Sequence, residues 1–172
     1  MLLVGFMGAG KSAVGSRLAT ALGYRFVDVD ALLEGEAGSS VAEIFAREGE
    51  EGFRRREADA VERLLRQDGV VIAPGGGWAA EPGRLGGVPA DTATVWLRVG
   101  AEEAVRRVSA QPGVRPLLDV ADALGTAREL LERRTPRYRE ARFGVDTERS
   151  SVEDVTARIL EILRADPPQT TD

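Results

Sequence analysis

The spacing of apolar residues changes period several times along this chain, and each change marks an element. Met1-Leu2-Leu3-Val4 is a continuous apolar run that reads as a buried strand and breaks at Gly5. From Ser12 the spacing turns helical, with Val14, Leu18, Ala19 and Leu22 on one face and Gly23 as the terminating residue. Arg25-Phe26-Val27-Asp28 predicts a short second strand that runs into Asp28-Val29-Asp30. Ser40-Val41-Ala42-Glu43 is a capping box opening a helix through Arg47, and a second helical pattern runs from Glu50 to Arg66. Phe53, Ala60, Val61, Leu64 and Leu65 are its core positions. Gly69-Val70-Val71-Ile72-Ala73 is again a continuous apolar strand, closed by Pro74-Gly75-Gly76-Gly77. Thr94-Val95-Trp96-Leu97 predicts a fourth strand, Ala101 to Val108 a helix, and Leu124 to Arg139 another that spans Pro136. Phe143-Gly144-Val145-Asp146 predicts a fifth strand, and Ser151-Val152-Glu153-Asp154 caps a closing helix to Leu163. Ser109 to Asp122, with Pro112, Gly113 and Pro116, reads as a loop, and Pro167 onward as a frayed, disordered tail.

Strand, turn, helix, strand at the head of the chain is the start of a parallel α/β sheet, whose functional groups gather at the carboxyl ends of the strands. At 172 residues the expectation is one domain over residues 1–166. The stretch from Ala31 to Arg66 is two helices long where one crossover helix would suffice, so a substrate lobe is expected at about 31–66 and a lid at about 109–122.

Composition narrows the chemistry. Apolar residues at 43% and charged ones at 30% are ordinary for a globular protein, and a net charge of −5 argues against nucleic acid as the main partner. The absence of cysteine excludes disulfides and thiolate metal sites and is compatible with a reducing compartment. The absence of histidine leaves carboxylates as the candidates for a general base. No apolar run approaches the roughly 20 residues that span a bilayer. The apolar start has no basic flank and runs straight into a glycine loop, so it does not read as a signal peptide.

That loop is Gly5-Phe6-Met7-Gly8-Ala9-Gly10-Lys11-Ser12, the G-x-x-x-x-G-K-S phosphate-binding pattern between a strand and a helix. Its N–H groups would cradle the phosphates, Lys11 would reach the outer ones, and the Ser12 hydroxyl would hold magnesium. Lys11 is the chain's only lysine; every other one of its 23 cationic side chains is arginine, so a compact ammonium is kept for this position. The dinucleotide fingerprint needs a third glycine where Ala13 stands. Asp28 and Asp30 would supply the magnesium surroundings and orient an attacking hydroxyl, or one of them would cap the next helix, with Asp30 able to do both. Of Arg54, Arg55 and Arg56, at most two can face one site on a helix. Gly75, Gly76 and Gly77 contribute no packing and make sense where a ligand lies against bare backbone. Arg115-Pro116-Leu117-Leu118 reads either as a lid bringing an arginine to a transferring group or as a surface loop. The cations around Arg134 fit a helix C-terminus by themselves.

Together these motifs, with Arg134-Thr135-Pro136-Arg137-Tyr138, resemble the shikimate kinase family of small P-loop kinases from residue 2 to about 163. The resemblance implies a three-layer P-loop fold whose five parallel strands run in order 2-3-1-4-5. It implies transfer of the terminal phosphoryl group of ATP to the 3-hydroxyl of shikimate, with Mg2+, by a cytoplasmic monomer. Asp30, Lys11 and Arg115 would carry catalysis. Gly8, Ala9, Gly10, Lys11, Ser12, Ala13 and Arg115 would hold the phosphates, with Arg107, Arg149 and Ser150 near the adenine. Arg54 and Arg134 would grip the shikimate carboxylate, Asp30 and the Gly75–Gly77 turn its hydroxyls, and Ser12 and Asp28 the metal. One departure stands out: the family usually has Ser or Thr before the glycine triplet, and Ala73-Pro74 offers no hydroxyl there. A sugar-acid kinase such as gluconate kinase, and an ATP-binding regulatory protein without transfer activity, are the alternatives.

Overall fold

The computed structural model describes residues 1–110 and 122–166. Five strands form one parallel sheet in the order β2-β3-β1-β4-β5. They are β1 (Leu2–Val4), β2 (Arg25–Asp28), β3 (Val70–Ala73), β4 (Thr94–Arg98) and β5 (Phe143–Asp146). Each lies within about a residue of its expected place, because continuous apolar runs bounded by glycine or aspartate leave few other readings. The register brings the strand ends that matter to one edge. Asp28 pairs with Ala73, and Val4 with Trp96, so the phosphate loop, the Asp28 segment and the Gly75–Gly77 turn all leave the sheet at its carboxyl end.

Leu2, Leu3, Val71 and Leu97 are fully buried, as expected of central strands covered on both faces. The helices are α1 (Lys11–Leu22), α2 (Val29–Ala37), α3 (Val41–Leu65), α4 (Ala101–Ser109), α5 (Ala123–Tyr138) and α6 (Val152–Ala165). Both expected capping boxes are present, at Ser40 with Glu43 and at Ser151 with Asp154. Helix α5 continues through Pro136, which lies in its last turn, so the N–H that proline lacks removes a bond only near the helix end. No described helix is long and apolar enough to cross a membrane. Residues 111–121, which make up most of the expected lid at about 109–122, and residues 167–172, the expected tail, lie outside the described residues.

The excursion between β2 and β3 departs from the expected two helices. A separate helix, α2, precedes them, with only Val29 and Leu33 buried, too few apolar positions to stand out in the sequence. Asp28 is its cap, accepting from the N–H groups of Asp30 and Ala31, while Asp30 sits inside the first turn. The capping role considered for Asp30 therefore belongs to Asp28. The two later helices join end to end as α3, bent at Gly49 (φ 70°, ψ 177°), a conformation open essentially to glycine alone. Glu48 holds the bend by accepting from Arg47 on one side and Arg56 on the other. Two arginines are thereby committed to this joint, and Arg56 is withdrawn from any site.

A first prediction concerns Gly5, where β1 turns into the phosphate loop at φ 145°. A Cβ there would stand 2.5 Å from the backbone oxygen of Leu97 in β4, which cannot yield as a side chain can. Gly5→Ala is expected to lose at least about 2 kcal/mol of stability from strain and overpacking, read as a fall in the urea midpoint.

Candidate active site

The phosphate loop meets α1 at Gly10, whose left-handed conformation ends the turn. Among the described α-helices, α1 alone has neither a side-chain cap nor an acidic residue in its first turn. Its first N–H groups and the positive end of its dipole are left for an anion. Lys11 bends back over the loop, donating from Nζ to the Gly5 carbonyl at 2.9 Å and the Phe6 carbonyl at 3.1 Å. Beside it the Ser12 hydroxyl donates to Asp28 Oδ2 at 2.6 Å, while Asp28 Oδ1 caps α2. The strand order thus delivers a hydroxyl and a carboxylate to one point. Hard oxygen donors of this kind suit magnesium, which keeps several waters and takes only one or two protein ligands alongside phosphates. No group of three or more carboxylates able to hold a metal by itself occurs among the described residues.

Across the sheet edge from the loop is a second cluster. Arg54 projects from α3 onto the glycine turn, and its guanidinium occupies the place a Gly77 Cβ would take. Only glycine at that position lets the guanidinium lie against the backbone. Of the arginine triplet, Arg55 pairs with Glu51 at the surface, Arg56 holds the Gly49 bend, and Arg54 alone faces the turn. A Cβ at Gly75 would stand 2.6 Å from Glu57 Oε1 and 3.3 Å from Asp30 Oδ1, so both carboxylates border this turn. Arg134 lies over the Phe6 ring at 5.8 Å, and Tyr138, one turn further along α5, donates its hydroxyl to the Gly76 carbonyl. The structure brings Asp30, Arg54, Gly75, Gly76, Gly77 and Arg134 together in this way.

Glu57, which follows the arginine triplet in the run Phe53-Arg54-Arg55-Arg56-Glu57, is assigned no role from the sequence. It is completely buried, accepts from Arg54 Nη1 at 2.6 Å through Oε2, and leaves Oε1 without a partner of hydrogen-bonding geometry. Burial pushes its carboxyl up to about 6, against the opposing pull of Arg54, and the Asp30 charge adds to the rise. The signal that could have found it is the i, i+3 spacing from Arg54, which places a carboxylate under the one inward-facing guanidinium. Tyr138 is likewise fully buried, and burial raises its phenol above the ordinary range.

A pH prediction follows from Glu57. Because the folded pKa lies above the unfolded one, the native state binds the extra proton between about pH 4.5 and 6, and this group's contribution to stability falls as pH rises through that window. The full change is about 2 kcal/mol. Glu57→Gln should therefore gain most of that, about 1.5 kcal/mol, relative to the native protein between pH 4.5 and pH 6.5 in paired urea melts. Pairing the melts cancels the carboxylates Glu43, Glu48, Glu102, Glu103 and Asp154, whose pKa values are lowered by hydrogen bonding.

On the far side of the loop, Arg107 reaches from α4 to the Gly8 carbonyl and to Thr147, donating to the Thr147 carbonyl at 2.6 Å and to its hydroxyl at 3.3 Å, with Nε on Glu103. The buried Thr147, not singled out in the sequence, ties this group to β4 through the Arg98 carbonyl. The expected adenine residues are less concentrated. Arg149 borders an open depression with Glu102, Glu103, Arg106 and Glu148, whereas Ser150 borders a separate one with Asp146 and Asp154. Gly8, Ala9, Gly10 and Ala13 all lie in the loop or the first turn of α1. Arg115 lies outside the described residues.

The shikimate kinase family model matches residues 7–164. A shikimate kinase of Synechococcus sp. (strain RCC307) is 44% identical, with 99% of this chain and 90% of that protein covered. The structure of shikimate kinase from Acinetobacter baumannii in complex with shikimate superposes with a TM-score of 0.88 at 33% identity, covering 98% of this chain and 94% of that one. A gluconokinase from Sinorhizobium meliloti superposes with a TM-score of 0.62 at 21% identity, over 96% of each chain, a likeness of fold alone. With a match this extensive in sequence and in structure, the chain belongs to the shikimate kinase family.

Proposed function

We propose that this chain transfers the γ-phosphoryl group of ATP to the 3-hydroxyl of shikimate, giving shikimate 3-phosphate and ADP, a step of aromatic amino-acid biosynthesis. The observation that carries the reading is the placement of Arg54, Arg134 and Asp30 around a bare glycine turn, one sheet position from the phosphate loop. A small organic acid needs its carboxylate gripped and one hydroxyl turned toward the nucleotide, and charge-assisted bonds from two guanidinium groups do the first. Asp30 orients the hydroxyl and accepts its proton as the oxygen attacks the terminal phosphorus. The bond to the bridging oxygen breaks, and its electron pair leaves with ADP. Lys11 turns from the Gly5 and Phe6 carbonyls to the phosphates, and Arg115 would add a second cation there; both would stabilise charge on the group in transit. Ser12 and Asp28 would hold Mg2+, which when bound neutralises charge on the phosphate oxygens. Arg107 fixes the nucleotide end of the loop, with Arg149 and Ser150 nearest the base.

The described groups among these come from one chain and border one sheet, which supports a single domain over residues 1–166 acting as a monomer, and the substrate lobe at about 31–66 and the lid at about 109–122 are part of the same proposal. The use of ATP and a soluble organic acid supports a cytoplasmic setting, and the net charge of −5 supports the absence of a nucleic-acid partner. The test is ADP release with shikimate and with gluconate as acceptors. Turnover with shikimate alone is the expected result; turnover with gluconate and none with shikimate would overturn the assignment.

A further inference from the structure

Phe6 is an apolar residue inside a phosphate loop, and it is 1% exposed. Two contacts meet on it. Its ring carries the Arg134 guanidinium at 5.8 Å, and its carbonyl accepts from Lys11 Nζ at 3.1 Å. A parallel contact lies alongside: the Tyr138 hydroxyl, on the same helix as Arg134, holds the Gly76 carbonyl, and Gly76 lies so close to the loop that a Cβ there would stand 3.2 Å from the Gly5 carbonyl and 3.3 Å from the Met7 N–H. The proposed acid-gripping arginine and the nucleotide-gripping lysine therefore meet on one residue, the first on the ring of Phe6 and the second on its carbonyl.

We infer that Phe6 is a positioning residue that seats Arg134 on the phosphate loop and so couples the nucleotide site to the organic-acid site. The inference rests on the proposed use of Arg134 as a ligand of the substrate carboxylate. The element with two arrangements is Lys11: here its ammonium sits on the Gly5 and Phe6 carbonyls, and phosphate draws it away. That exchange changes the hydrogen bonding and field at Phe6, directly beneath Arg134. A guanidinium on a buried ring is held in place more firmly than one in water, so a small change beneath it alters how well it meets a carboxylate. Because coupling between two binding sites is reciprocal, ADP should tighten shikimate binding by the same factor by which shikimate tightens ADP binding.

The experiment is calorimetric titration of shikimate into the native protein, Phe6→Leu and Tyr138→Phe, each with and without saturating ADP. ADP is used because it occupies the loop without turnover. The native protein is expected to bind shikimate about three- to tenfold more tightly with ADP present. Phe6→Leu should bring that factor close to one, read as the ratio of shikimate affinities with and without saturating ADP, a ratio that a uniform loss of affinity from general loosening would leave unchanged. Tyr138→Phe keeps the ring against Trp96 but removes a hydroxyl that meets both the Gly76 carbonyl and Arg134; it should weaken shikimate binding with and without ADP alike, because the Phe6 ring remains under Arg134. If Phe6→Leu fails to fold, coupling abolished in Tyr138→Phe would place the connection at Gly76 and overturn the role of Phe6. Native coupling that persists in Phe6→Leu, or a native factor of one, would also overturn it. A native protein that binds no shikimate at all would instead defeat the functional reading, with the geometry at Phe6 untouched.

Discussion

Asp30→Asn is expected to lower turnover by about 10²–10⁴-fold while leaving ATP affinity within a few-fold of the native value. The carboxylate borders Gly75 beside Glu57, while Ser12 bonds to Asp28 and the first N–H groups of α1 stand open to the phosphates, so the groups that hold the nucleotide remain when its charge is removed. With no histidine in the chain, carboxylates are the candidates to take the proton, and the other one at this turn, Glu57, is engaged with Arg54. Asparagine keeps the shape and can still orient a hydroxyl, but it cannot accept the proton. Steady-state rates and nucleotide titration on the same preparation check the result. Intact turnover in Asp30→Asn would remove Asp30 from catalysis. A native protein that binds ATP yet transfers nothing would favour the regulatory-protein reading.

The second large effect is expected at the guanidinium pair. Arg54→Ala and Arg134→Ala should each raise the KM for shikimate by about 10- to 10³-fold, with the KM for ATP changed by no more than a few-fold, since charge-assisted bonds to a carboxylate are worth a few kcal/mol where water is excluded. The two variants should differ in stability. Arg54 is the ion-pair partner of the buried Glu57, so its removal strands a carboxylate with no counter-ion, at a cost of about 3 kcal/mol. Arg134 rests on the Phe6 ring and beside Tyr138, and its loss strands no buried charge of that kind. Arg54→Ala should thus melt earlier and Arg134→Ala nearly with the native protein. Equal effects on both KM values would show that the clamp is placed wrongly.

The arginine triplet shows where reading along the chain runs out. Helical spacing says that Arg54, Arg55 and Arg56 point in three directions, but not which direction is inward. That was decided by Glu51 and Glu48 drawing Arg55 and Arg56 to the surface and by Gly77 leaving room for Arg54. Helix α2 is hard to see for a different reason. Its nine residues bury only two side chains, and it forms because Asp28 caps it at the end of a strand already in place.

What this sequence determined by itself is local in origin: the five strands, the capping boxes at Ser40 and Ser151, the phosphate loop around Lys11 and the glycine turn. Each depends on neighbours a few residues apart, whose spacing and backbone freedom can be read directly. What only the tertiary structure decided depends on distance in the chain. Tyr138 meets Gly76 across 62 residues and Arg107 meets Thr147 across 40. Glu57 is an ordinary surface-type residue until the fold buries it against Gly75 and Arg54 and moves its titration to about 6. Burial and long-range pairing set the energies of charged groups, and neither exists until the sheet has brought its strand ends to one edge.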